Sequence, residues 1–143
     1  MAFLTIAELE THLYGEITEE INRGDDDITQ QAIDVALDEV KGYITKYDLD
    51  LIFNPLAPED RNNKLLSVTK DIAVWHLLLL SNPNVELQIR QIRYEDAVKW
   101  LANVQKGTID PLLPLPAPTV IEGNGSVDGA IKWESNPKRK NHF

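Results

Sequence analysis

At 143 residues the chain is long enough for one domain, and its hydrophobic content of 43 % can build a single modest core. Its formal net charge of −9, from 14 Lys and Arg against 23 Asp and Glu, makes nucleic acid a poor partner unless the cations are gathered in one place. The chain has no cysteine, which excludes disulfides, thiol catalysis and thiolate metal sites.

The N-terminal residues predict short helices rather than a targeting segment. The opening MAFLTIAELE has neither a positively charged start nor a long apolar run, so we expect no secretory signal and a chain that stays in the cytoplasm where it is made. Thr5 and Glu8 have the spacing of a capping box, in which each side chain bonds to the backbone N–H of the other residue. A short helix should begin there, and Gly15 permits a break before a second one over residues 16–22.

Three longer helices follow, and with the two short ones they predict an all-α fold, a small bundle of about five helices. Residues 29–47 carry apolar and polar side chains on opposite faces. Residues 58–81 end in the run DIAVWHLLLLS, which has almost no polar side and therefore needs neighbours around it. Residues 85–106 form the last helix, and Gly107 should end it in the left-handed conformation.

The connection over residues 48–58 contains two prolines, Pro55 and Pro58. Because proline disfavours helix for the residue before it, we expect an extended loop here. Its apolar side chains should pin it to the core: Leu51, Ile52, Phe53 and Leu56.

The character of the chain changes after Gly107, which divides it into a helical domain, 1–107, and an extended C-terminal arm, 108–143. Four prolines between residues 111 and 118 prevent a helix, and two apolar stretches flank the Gly-rich GNGSVDG as in a loose β-hairpin. The arm cannot bury its own apolar side chains, so it either folds back on the helices or lies on another subunit. On a neighbour, the predicted interface residues are Leu112, Leu113, Leu115, Val120, Ile131, Trp133, Lys138, Arg139, Lys140 and Phe143.

Sequence signatures of catalysis or metal binding are missing. There is no nucleophile elbow, phosphate loop or HExxH motif, and the three histidines are far apart, so we expect no enzyme, cofactor or metal. His76, which lies among leucines, should be a core or interface histidine with a satisfied ring nitrogen. Arg93 and Asp96 lie three apart near the apolar face of the last helix and should form a structural ion pair, with each other or with Asp71.

The order of these signals resembles the Mu-like phage and prophage neck (head-tail connector) family of small helical proteins. The matching stretches are FLTIAELE, AIDVALDEVKGYITKY, the Pro-bearing loop, DIAVWHLLL and, most specifically, RYEDAVKWLANVQKG. The closing SNPKRKNHF is similar to the carboxyl ends of relatives from Bacteroidetes-type phages. The resemblance covers essentially the whole chain and contains no catalytic signature.

This resemblance implies a structural protein of the virion neck that occupies the host cytoplasm only during assembly. It would form a ring under the portal, a dodecamer if portal symmetry is followed, and contact the portal protein and a tail-side stopper or tail completion protein. Packaged DNA would pass through without sequence-specific binding, and no membrane is involved.

Two other functions are compatible with the sequence. A small host or prophage adaptor would bind a protein partner through the C-terminal arm. A nucleic-acid-binding protein would use the basic cluster Lys138, Arg139 and Lys140. The same cluster could equally dock on an adjacent subunit at residues 8–27, where acidic residues outnumber basic ones eight to one.

Overall fold

The computed structural model describes residues 1–9, 11–13, 26–81 and 87–118. Within these ranges the chain is helical and contains no strand, which confirms the predicted all-α class. The predicted helix over 16–22, the cap at Asn84 and the hairpin-like part of the arm lie outside the described residues. The helices are α1 (Ile6–Leu9), α2 (Asp26–Tyr43), α3 (Leu49–Phe53), α4 (Asn63–Ser81) and α5 (Leu87–Lys106), with a 3₁₀ turn over Pro58–Asp60.

Helix α4 is the centre of the bundle. It packs against α2 on one side and α5 on the other, and α1 closes the bundle against α2 and α4. Its inner side chains are fully buried, among them Ile72, Leu77 and Leu78, as the apolar run predicts. The prediction that α4 is covered all round is wrong at its C-terminal end, because Leu79 and Leu80 are more than half exposed.

The connection before α4 is more helical than its prolines suggest. The side chain of Asp48 accepts a hydrogen bond from the Leu51 backbone N–H at 3.1 Å and caps α3, so the predicted extended loop begins with a helix. Of the four predicted anchors, Ile52 and Phe53 are buried, whereas Leu51 and Leu56 are exposed. The anchor prediction is therefore wrong for these two leucines: Leu51 lies on the outer face of the short helix, and Leu56 lies in the loop after it.

The ends of the long helices also differ from the predicted bounds. Helix α2 ends at Tyr43, but Ile44 and Tyr47 remain buried in the tighter turns that follow. Helix α4 begins at Asn63 and not at Pro58, because Asn62 caps it by accepting from the Leu65 N–H at 2.9 Å.

A nearly buried arginine ties the N-terminus to the loop before α4. The Arg61 guanidinium donates two hydrogen bonds to the Glu8 carboxylate, at 2.7 and 3.0 Å, and one to the Phe3 carbonyl at 2.9 Å. The hydrogen bond from Arg61 is the main reason that the pKa of Glu8 falls from 4.5 to about 2. Glu8 also completes the predicted capping box with Thr5, which is thereby confirmed.

The end of α5 follows its sequence signal closely. Gly107 has φ +81°, its N–H bonds to the Val104 carbonyl, and the Thr108 N–H bonds to the Asn103 carbonyl. This is a Schellman motif, which needs a residue in the left-handed region at this position. Residues 110–118 then continue without a helix, as the prolines predict.

Candidate interaction surfaces

The end of the bundle formed by α2 and α4 exposes apolar side chains that the rest of the described chain leaves uncovered. Val35, Leu79 and Leu80 are each at least half exposed. They line a shallow depression of about 320 Å³ together with Ala32, Gln31 and His76. We call this depression and its lining the apolar end. Its lining is almost wholly hydrocarbon, which suits another apolar side chain better than a polar ligand.

A polar network holds one edge of the apolar end in place. The Glu39 carboxylate accepts a hydrogen bond from the Tyr94 hydroxyl at 2.8 Å and lies 2.7 Å from Nε2 of His76. Burial, followed by the bond to Glu39, raises the pKa of Tyr94 to about 12, and Trp75 stacks on its ring at 5.6 Å between centroids. The network joins α2, α4 and α5, and it confirms that His76 has a satisfied ring nitrogen.

A second apolar surface lies at the start of the arm. Leu112 is 84 % exposed and stands between two depressions, one shared with Leu51 and the other with Leu115. All three leucines project into solvent, and we call them the leucine ledge. They come from α3 and from the Pro-rich segment, which are more than 55 residues apart in the sequence but adjacent in space.

The ledge is built on a strained backbone. Leu112 has φ +56°, in the left-handed region that a leucine rarely adopts. Hydrogen bonds hold the chain on both sides: Asn62 donates to the Pro111 carbonyl at 3.1 Å, and the Asp48 N–H donates to the Pro114 carbonyl at 2.9 Å. This strain costs about 1–2 kcal/mol. The surrounding hydrogen bonds therefore hold Leu112 in an exposed position despite the strain in its backbone.

The predicted interface residues fall into three groups. Leu112 and Leu115 are exposed and available to a partner. Leu113 is only 7 % exposed and belongs to the core of its own chain, which corrects its assignment to an interface between subunits. Its burial follows from the two hydrogen bonds that hold the start of the arm on the helices. The others lie outside the described residues: Val120, Ile131, Trp133, Lys138, Arg139, Lys140 and Phe143.

Arg93 pairs with Asp71 and not with Asp96, the other partner that the sequence offers. Its Nε atom lies 2.9 Å from Oδ1 of Asp71 on the neighbouring helix, whereas Asp96 is exposed. Asp71 is mostly shielded from solvent, so the pair links α4 to α5 within the bundle. Of the two partners that the sequence offers, the structure therefore favours Asp71, whose shielded carboxylate lies within reach on the facing helix, and the Arg93–Asp96 pair is corrected.

Further cations gather beside this pair. Arg90 donates to the His12 carbonyl at 2.7 Å, and the nearly buried Lys70 donates to the Thr11 hydroxyl at 3.0 Å. Burial lowers the pKa of His12, opposed by the nearby Asp71 carboxylate. Burial, with a contribution from Arg93, also lowers the pKa of Arg90. These contacts fasten residues 11–13 to α4 and α5.

Two further features concern what the described residues can bind. They contain no group of three or more His, Cys, Asp or Glu side chains placed to hold a metal ion. Among the described helices, none is both long and apolar enough to cross a membrane.

The chain was compared with known proteins at the level of families, single sequences and structures. Residues 5–127 match the family model described as Bacteriophage Mu, Gp36. No curated protein and no solved structure matches the chain. The match spans most of the 143 residues, including every helix of the bundle. The chain therefore belongs to the bacteriophage Mu Gp36 family, and it is a phage-related protein.

Proposed function

We propose that this protein is a head-tail connector, a structural component of the virion neck. Copies form a ring under the portal, extend the DNA channel and join the head to the tail. The observation that carries the proposal is the pair of exposed apolar surfaces on a small helical domain, the apolar end and the leucine ledge. Membership of a phage family supports the same function.

Exposed apolar clusters of this kind mark sites of association. Single apolar side chains on a surface are common, but clusters that line depressions are characteristic of interaction sites. Each surface here presents three large aliphatic side chains that are at least half exposed. A connector needs such surfaces because it contacts both its neighbours in the ring and the proteins above and below it.

Burial of these apolar side chains is not enough by itself to assemble separate copies into a ring. Burying the exposed parts of the six side chains contributes roughly 6–11 kcal/mol, at about 1.5–3 kcal/mol for a fully exposed one. Association costs about 4–15 kcal/mol in lost freedom. Copies alone should therefore be monomers or weak oligomers, and a portal ring that positions them should promote closure.

Charge and the arm complete the proposal. A net charge of −9 allows DNA to pass along a channel without adhering to its wall, since phosphates and acidic side chains repel each other. In the proposed ring, the predicted role of the arm, residues 108–143, is to add contacts with a neighbouring subunit. The adaptor alternative assigns the same arm to a protein partner outside the virion.

The proposal is tested by adding the purified chain to isolated portal rings of the same phage. Electron microscopy should show an extra ring of density on one face of the portal. A variant that ends after Pro118 is the matched control, because it keeps every described contact and should bind portals less well. Portals that stay bare with the full chain would contradict the connector, and equal binding by the shortened variant would contradict the role of the arm.

A further inference from the structure

We infer that copies of this chain associate head to tail, with the leucine ledge of one copy seated in the apolar end of the next. The inference deepens the proposed function, because it names the two surfaces through which the ring is built. It rests on where the surfaces lie, on their shapes and on the charges around them.

The two surfaces lie at opposite ends of the central helix. Asn62, which holds the start of the ledge, precedes the first residue of α4, and Leu79 and Leu80 are in its last turn. At a rise of 1.5 Å per residue, these points are about 26 Å apart along the helix. Since one copy carries each surface once, at different ends, their contact leaves both copies with a free surface. Such a contact propagates, and it closes into a ring when the rotation between copies allows it.

The shapes of the two surfaces are complementary. Leu112 protrudes on a bend whose backbone is held by hydrogen bonds on both sides. The apolar end is a depression, and the Glu39 network holds one of its walls. A protruding leucine fills an apolar depression, whereas two depressions facing each other would leave a void.

The charges around the ledge oppose its pairing with a second ledge. Asp60 and Asp110 border the depressions on either side of Leu112. Of the two cations in the same linings, Arg61 is already paired with Glu8, which leaves Lys46 against two carboxylates. A symmetric contact between two ledges would bring these carboxylates close to the same carboxylates of the second copy, and this repulsion is unfavourable. The apolar end offers no such repulsion, because its polar lining residues are Gln31 and His76. The ledge therefore meets the apolar end of the next copy.

The absence of cysteine in the natural chain allows a direct test by cross-linking. Two single-cysteine variants of the full chain, Leu112→Cys and Leu80→Cys, are mixed and treated with a short bifunctional maleimide. The mixture should give about tenfold more dimer than either variant alone, since only the mixture places a ledge thiol beside an apolar-end thiol. Leu56→Cys is the matched control, because Leu56 is 96 % exposed and lines neither surface.

A second measurement tests the energetics of the contact. Leu112→Asn removes the apolar side chain with a residue that tolerates positive φ, so the fold is retained. In sedimentation at high concentration, this variant should associate about tenfold more weakly than the natural chain, whereas Leu56→Asn should not differ from it.

Dimer yields no higher in the mixture than with the Leu56→Cys control would overturn the inference, as would stronger cross-linking of either variant with itself. Unchanged association of Leu112→Asn would also overturn it. Both measurements use the chain without portals. If these measurements fail but rings form on portals, only the head-to-tail contact is rejected. If they succeed but the portals stay bare, only the connector proposal is rejected.

Discussion

Replacing Glu8 by glutamine removes the negative charge of the side chain to which Arg61 donates two hydrogen bonds. Glutamine also serves in a capping box, so the N-terminus of α1 keeps its cap with Thr5. The substitution therefore isolates the contribution of the charge. The pKa of Glu8 lies well below its usual range because Arg61 donates to it, and the shift from 4.5 to about 2 corresponds to about 3 kcal/mol.

Solvent reduces this figure. The side chain of Glu8 is 30 % exposed, although that of Arg61 is only 7 % exposed, so the expected loss at pH 7 is about 1–2 kcal/mol. A pKa that is lower in the folded state stabilises the protein fully above pH 4.5. This stabilisation is lost as the pH falls from 4.5 towards 2, because protonation of Glu8 ends the ion pair.

Urea unfolding of the natural chain and Glu8→Gln between pH 7 and pH 2.5 measures the effect. We expect the difference in unfolding free energy to fall from about 1–2 kcal/mol at pH 7 to less than half of that at pH 2.5. Glu59→Gln, at an exposed glutamate in the 3₁₀ turn, is the control and should change stability by less than about 0.5 kcal/mol. A difference that does not change with pH would refute the ion-pair reasoning.

Three other substitutions test single contacts. Asn62→Ala loses the cap of α4 and the bond to the Pro111 carbonyl and should cost about 1–3 kcal/mol in urea unfolding, whereas Asn62→Asp keeps the cap and should cost less. Leu113→Ala leaves a cavity and should cost about 2–4 kcal/mol, whereas Leu112→Ala at an exposed site should cost less than about 0.5 kcal/mol; equal losses would contradict the burial of Leu113. Tyr94→Phe should remove from the ultraviolet pH titration the phenol that ionises with a pKa of about 12, and a titration unchanged at high pH would contradict the raised pKa of Tyr94.

The parts of the fold that follow from sequence are those that neighbouring residues decide. Thr5 and Glu8 form the capping box because they are three residues apart, and Gly107 ends α5 because few other residues adopt its φ readily. The buried run in α4 follows from its lack of polar side chains. Helix α3 does not follow from the sequence pattern, because the two prolines after it indicate a loop. The helix forms because a single residue, Asp48, caps its N-terminus.

The candidate surfaces depend on contacts between distant residues and are less predictable. Arg61 meets Glu8 across 53 residues, and Asn62 fixes Pro111 across 49, so neither contact has a sequence period that reveals it. The composition of the arm predicts its extended form but not that Leu113 packs in its own chain. The apolar end was missed because Leu79 and Leu80 belong to a run that reads as core throughout.

The connector proposal is tested most directly by an electron cryomicroscopy reconstruction of the neck of the phage that carries this chain. We expect a ring of this helical bundle between portal and tail, with the leucine ledge of each copy against the apolar end of its neighbour. A neck assembled from other proteins, with this chain missing from the mature virion, would contradict it.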